Sequence, residues 1–207
     1  MEGARRLNAE AVELAGRAAF PPPGVQAAID LLFLDLVEGR FDAAERAWPG
    51  LRERAEAMKG WHQWLMIGRL AQARAEIALG LGRPEAAAEA AVVSIAHARR
   101  VGRLKYEVAS RTVLGAALLT LGEPGEAVAE LRRALAGAER LGHPPSLWRA
   151  AAELGAASYS VGDDHGAAAA YRSAQATIRS FAEALVPERQ RRLFAAEPVR
   201  RILGIDG

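Results

Sequence analysis

Residues 114–134 read LGAALLTLGEPGEAVAELRRA, and residues 154–174 read LGAASYSVGDDHGAAAAYRSA. The two stretches align without a gap, position 114 on 154 and position 134 on 174. Each opens on a Leu-Gly pair, Leu114-Gly115 and Leu154-Gly155, and the next turn carries Leu118 or Ser158. A central glycine follows, Gly122 or Gly162. After it come Ala127, Leu131 and Ala134 in one copy, and Ala167, Tyr171 and Ala174 in the other. Steps of four and three keep such residues on one face of a helix. Glycine followed by Pro124 or Asp163-Asp164 marks a break between two helices. Each stretch therefore predicts a helix, a tight turn and a second helix.

The pattern extends toward the N-terminus. Residues 82–102, GRPEAAAEAAVVSIAHARRVG, place Ala87, Ala91 and Ser94 in register, one period before Ala127, Leu131 and Ala134. A looser copy follows Gly39, with Ala44, Trp48 and Leu51 in the corresponding places at a slightly longer offset. First helices are predicted over 25–38, 62–80, 104–120 and 146–160, and second helices over 42–58, 84–100, 124–140 and 164–184. Asp42 with Glu45 reads as a capping box. Pro84 and Pro124 suit a first helical turn. Gly102 and Gly142 suit helix C-termini. Pro144-Pro145 is expected to break the chain before a capping Ser146.

Composition agrees with close helix packing. Alanine accounts for 47 of 207 residues, and aromatic residues for only 6%. Alanine is the best helix former and a poor strand former. Ala87, Ala127 and Ala167 are expected where helices cross, with Leu114, Leu131, Leu154 and Tyr171 filling the spaces between turns. There is no cysteine, so disulfides, thiol nucleophiles and thiolate metal sites are excluded. No apolar run approaches the roughly 20 residues of a membrane span, and no export signal is read. A cytoplasmic protein is expected. The formal net charge of +2 gives no strong field for nucleic acid.

The ends depart from the repeat. Residues 4–19 predict one amphipathic helix, closed by Phe20-Pro21-Pro22-Pro23-Gly24. Residues 1–24 read as an N-terminal helix or half-repeat, 25–184 as four helix pairs, and 185–207 as a capping helix and tail. Leu193, Phe194, Val199, Ile202 and Leu203 are expected to cover the last repeat face, with 205–207 frayed. The half-repeat favours either a piece of a longer chain or a homodimer that completes the missing half.

These residues resemble the tetratricopeptide repeat family, most closely in the Leu-Gly, Gly122/Gly162 and Ala127/Ala167 positions. Departures are present. Arg111 and Ala151 stand at the family's usual tryptophan, its closing proline is missing, and Arg74-Ala75 or Leu31-Leu32 replace the Leu-Gly pair in the earlier copies. The resemblance implies an all-α fold: a TPR-like alpha-alpha superhelix, or solenoid, of antiparallel helix pairs with a period of about 40. It is similar to the helical-repeat regions of large bacterial ATPase-containing regulators of LuxR type and of nucleotide cyclases. It implies protein or peptide partners, or other modules of a parent protein, and a role in signalling or transcription regulation. The implied concave-face contacts are Gln26, Asp30, Phe33, Arg69, Gln72, Glu76, Thr112, Ala116, Arg149, Glu153 and Tyr159. Phe33 and Tyr159 would be apolar anchors, and Arg69 and Arg149 would fix a carboxylate or peptide backbone.

Reactive constellations are not evident. No phosphate loop, GxGxxG or HExxH occurs. Neither catalytic residues, cofactor nor metal are expected, and no nucleic acid or membrane partner. Asp163-Asp164-His165 reads as a solvated turn or cap rather than a ligand set. The arginine pairs at 99–100, 132–133 and 200–201, and Arg189, Arg191 and Arg192, read as solvated faces. Trp48, Trp61, Trp64 and Trp148 read as packing residues. A small-ligand pocket around Phe33, Trp64 and Arg69 is the alternative to a protein-binding face.

Overall fold

The computed structural model describes residues 2–205. All regular structure among them is helical. The helices are α1 Glu2–Arg17, α2 Pro21–Val37, α3 Phe41–Glu56, α4 Trp61–Gly80, α5 Pro84–Arg100, α6 Leu104–Thr120, α7 Pro124–Leu141, α8 Pro144–Ser160, α9 Asp164–Glu183, α10 Pro187–Ala195 and α11 Glu197–Leu203. Second helices α5, α7 and α9 start at 84, 124 and 164, which is the period expected from the glycines. The fold is all-α, with the repeat-like helix-pair packing of an alpha-alpha solenoid. Of the tail 205–207 expected to fray, Ile205 donates its amide to the Arg200 carbonyl at 3.0 Å, and residues 206 and 207 lie outside the described residues.

The turns explain the recurring glycines. Gly122 sits at φ +81 and Gly162 at φ +79, a left-handed backbone that side chains with a Cβ resist. The next amide then turns back, Glu123 N–H to the Leu118 carbonyl and Asp163 N–H to the Ser158 carbonyl, both at 2.9 Å. These bonds occupy carbonyls that a helix end otherwise leaves open.

Glycine has a second use at the helix contacts. A Cβ on Gly115 of α6 would strike the Leu131 side chain of α7, and one on Gly155 of α8 would lie 2.8 Å from the Tyr171 ring of α9. The Leu-Gly pairs thus supply holes that large residues of the second helix fill, as expected for Leu131 and Tyr171. In the earlier copy the same two positions hold Ala75 and Ala91, both fully buried. There the hole has shrunk and the knob with it.

Contacts divide the chain into two compact units, Met1–Tyr106 and Glu107–Gly207. In the first, Val25, Ile29, Leu32 and Leu36 of α2 meet Leu51 of α3 and Met66, Leu70 and Ile77 of α4. Full burial of each large aliphatic side chain contributes about 1.5–3 kcal/mol over leaving it exposed. Trp48 donates its indole N–H to the Leu70 carbonyl at 2.8 Å and lies beneath Arg52 and Arg74. In the second unit, Trp148, Ile178 and Val199 form a buried cluster, and Leu193, Phe194, Ile202 and Leu203 pack against it.

Several local expectations are corrected. Pro21 opens α2 instead of closing α1, because proline at the first helical positions forfeits only an amide that has no partner there. The helix therefore starts at 21 and not at the expected 25. Likewise Pro144 opens α8, and Ser146 lies inside it, its Oγ 2.9 Å from His143 Nδ1. Arg40, not Asp42, is the N-cap residue of α3, so no capping box forms. Glu45 bridges Arg74 and Arg83 instead. Trp61 is 57% exposed and stacks on His62 rather than packing inward.

The hole-and-knob contact makes a quantitative prediction. Gly115→Ala should cost about 1–3 kcal/mol in urea unfolding, since the added methyl overpacks against Leu131. In a Leu131→Ala background the same change should cost less than about 1 kcal/mol, reproducing the Ala75–Ala91 solution. Equal costs in both backgrounds would refute the contact.

Candidate functional site

The first unit gathers three of the expected contact residues. Asp30 and Phe33 are one turn apart on α2, and Arg69 faces them from α4. Arg69 Nη2 donates to Asp30 Oδ1 at 2.5 Å. Its guanidinium carbon lies 5.1 Å from the centre of the Phe33 ring, within cation–π range. The Arg69 side chain is only 13% exposed, while that of Asp30 is 39% exposed. Arg69 Nη1 is buried and has no hydrogen-bond partner among the described residues. A buried donor of this kind is uncommon and costly.

The surroundings of Arg69 were not legible in full. Tyr106, in the first turn of α6, is half-buried, and its ring approaches the position a Gly68 Cβ would take. Burial pushes the Tyr106 hydroxyl above its ordinary range; the Arg69 and Arg103 charges pull it down, and Asp30 pushes it up. Arg103 also lies over the Trp64 ring, at 4.9 Å. His97 Nε2 is 3.1 Å from the Trp64 carbonyl, so the imidazole fills the flat spot at Gly68. Trp64 was an expected neighbour; Tyr106, His97 and Arg103 were not. Gly68, a glycine inside a helix, is the sequence signal that marks such a close approach.

The other expected residues fall elsewhere. Gln72 donates to Glu76 Oε1 on its own helix at 2.7 Å, and both are half-buried. Gln26 is half-buried on α2, and Ala116 half-buried on α6. Thr112 is buried and its hydroxyl donates to the Val108 carbonyl, so it offers a partner little. Tyr159 is 70% exposed at the end of α8. Arg149 is exposed on α8, and Glu153, one turn on, is half-buried.

Glu153 belongs to a second charged group. Burial raises its carboxyl above the usual glutamate range, and the Arg201 and Arg149 charges partly offset this. The Tyr171 hydroxyl is raised by burial and by Glu153. Arg201 comes from α11, where Gln175 of α9 also donates to the Ile202 carbonyl at 2.9 Å. The C-terminal helix therefore contributes charge as well as apolar cover.

Asp163 accepts from the Gly166 amide at 2.8 Å and caps α9. Among the described residues no group of three or more histidine, aspartate or glutamate side chains is placed to hold a metal, and no helix is long and apolar enough to cross a membrane.

Comparison with known proteins supports the architecture. No protein-family model matches the sequence, and no curated protein matches it. The solved structures it is similar to include BtubC (BKLC) from P. vanneervenii, at 20% identity and a TM-score of 0.69, over 98% of this chain and 84% of that one. They also include aspartyl phosphate phosphatase F from Bacillus subtilis, at 12% identity and a TM-score of 0.67. That match covers 88% of this chain and 48% of the phosphatase chain, so this chain spans about half of it. At such identities the likeness concerns the fold, which is a TPR-like helical-repeat fold.

Glu153 yields a pH prediction. Its folded pKa is raised, so the folded state holds the proton more tightly than the unfolded chain. Its contribution to stability is present at low pH and is lost as pH rises from about 4.5 through the folded value. Glu153→Gln cannot ionise. Its stability relative to the unchanged protein should climb across that window and level off above it. Urea midpoints measured from acid to neutral pH should diverge in that sense; parallel curves would show that Glu153 is not raised.

Proposed function

We propose that this chain is a non-catalytic protein-recognition module, and that its first unit carries the recognition face. The observation behind the reading is Arg69. One edge of its guanidinium is held by Asp30, its flat face by Phe33, and its Nη1 has no acceptor among the described residues. An arginine positioned in this way suits a carboxylate or a peptide carbonyl, because its fork is already oriented before the partner arrives. Asp30 keeps exposed surface for a donor of the same partner. The TPR-like fold supports a peptide or protein as that partner. In keeping with the resemblance, we place the module in the cytoplasm, in a bacterial signalling or transcription-regulating protein.

A second reading has one observation in its favour. The Arg69 and Arg103 charges both act on the Tyr106 hydroxyl, and Arg103 lies over the Trp64 ring; two cations beside aromatic rings suit a small anionic ligand.

Selection from a random peptide display library tests the first reading. Enriched peptides should carry a carboxylate or an aspartate or glutamate at a fixed position. Arg69→Ala should weaken them about tenfold to hundredfold, the worth of a charge-assisted hydrogen bond. Failure to enrich any peptide, together with thermal stabilisation by a small carboxylate that Arg69→Ala abolishes, would favour the second reading. Peptides that bind both forms equally would overturn the assignment of Arg69.

A further inference from the structure

Helix α1 has two apolar faces and uses one. Val12 and Ala15 meet α2 at Gly24, where a Cβ would lie 2.8 Å from the Ala15 Cβ. Arg5 fastens the same side to Asp35 and Glu38, at 2.9 and 3.0 Å. The neighbouring face carries Leu7 and Leu14, which are 61% and 50% exposed. Ala4 and Ala11 lie beside them, and Ala18, just past the end of α1 with its amide on the Leu14 carbonyl at 2.9 Å, continues the line, so the stripe runs 4, 7, 11, 14, 18. This alternation of four and three is a heptad pattern, with alanine at one seam position and leucine at the other. Isolated exposed leucines need no explanation, but a regular seam along a helix does.

Charge selects the occupant. The exposed residues bordering the leucine edge of the seam are Glu10 and Arg17, one heptad apart. Two copies of α1 laid antiparallel bring Leu14 of each over Ala11 of the other, and Leu7 over Ala18. In that register Glu10 of one copy faces Arg17 of the second copy, and the two-fold axis repeats the pair. A parallel arrangement would instead set Glu10 against Ala15 and leave Arg17 beyond the end of the seam. Flanking charges of this kind decide orientation in paired helices, and the small alanines allow the close end of the roughly 8–10 Å range of axis separations.

We infer that α1 is a self-association surface and that its partner is α1 of a second copy, antiparallel to it. The contact is isologous, so it closes as a dimer and does not propagate. Two short helices make a small interface, below the roughly 1,200 Å² of stable complexes, so the dimer forms in the micromolar range or above. The inference goes beyond the recognition reading and stands apart from it. The dimer uses α1, the peptide face uses α2 and α4, and solution mass and peptide capture are separate readouts.

Sedimentation equilibrium of the full chain, from low micromolar to several hundred micromolar, tests it. The mass should rise from 22.1 kDa toward twice that value. Leu14→Glu should stay monomeric throughout with unchanged helical circular dichroism. Glu10→Arg alone and Arg17→Glu alone should each weaken the dimer at least tenfold. An equimolar mixture of those two variants should recover it, because each then meets the opposite charge. A mass fixed at 22.1 kDa overturns the inference. So does a dimer indifferent to Leu14→Glu, and so does a mixture that associates no better than its components.

Discussion

The fold depends on how closely two helix backbones can approach. Gly115 and Gly155 have no side chain, and Leu131 and Tyr171 occupy the room this leaves. Moving either member alone either opens a cavity or forces an overlap, and a packed interior absorbs neither easily. The Ala75–Ala91 pair shows that the constraint acts on the pair rather than on the glycine, since both members are fully buried. It also accounts for the abundance of alanine, which fills a close crossing without the backbone entropy that glycine loses on folding.

One position escapes this apolar economy. Arg111, where the repeat family usually has tryptophan, is buried, with its side chain only 7% exposed. Its guanidinium takes Glu107 on its own helix at 2.9 Å and Glu130 on α7, which Arg133 also meets. Two carboxylates around one buried cation satisfy most of its donors, and this makes the burial tolerable. The pairing also ties α6 to α7 one turn along α6 from the Gly115–Leu131 contact, so a polar and an apolar contact both join the two helices.

The sequence carried the repeat clearly because its signal is periodic. Glycines recurring once per repeat and apolar steps of four and three describe helix pairs without reference to the rest of the chain. Helix starts at proline were harder to read. A proline run both ends one helix and can begin the next, and Pro21 and Pro144 took the second option. The surroundings of the candidate site were the least legible. Asp30, Phe33 and Arg69 share the repeat's register, whereas Tyr106 enters from the start of another helix and Arg201 from a C-terminal helix outside the period. No spacing rule links such residues to the groups they approach.

Arg69 and Arg149 show what the repeat register decides and what it leaves open. They stand two periods apart, and the intervening equivalent is Ala109. The register places both arginines on first helices, yet their surroundings differ. Arg69 is sunk between Asp30 and Phe33, so its orientation is set before any partner arrives. Arg149 is exposed, and its charge acts on Glu153 one turn away. A guanidinium held on a carboxylate and an aromatic face loses little freedom on binding. The difference lies in α2, whose Asp30 and Phe33 belong to the loosest copy of the repeat. Divergence from the regular pattern in that copy is therefore what turns a repeated arginine into a positioned one.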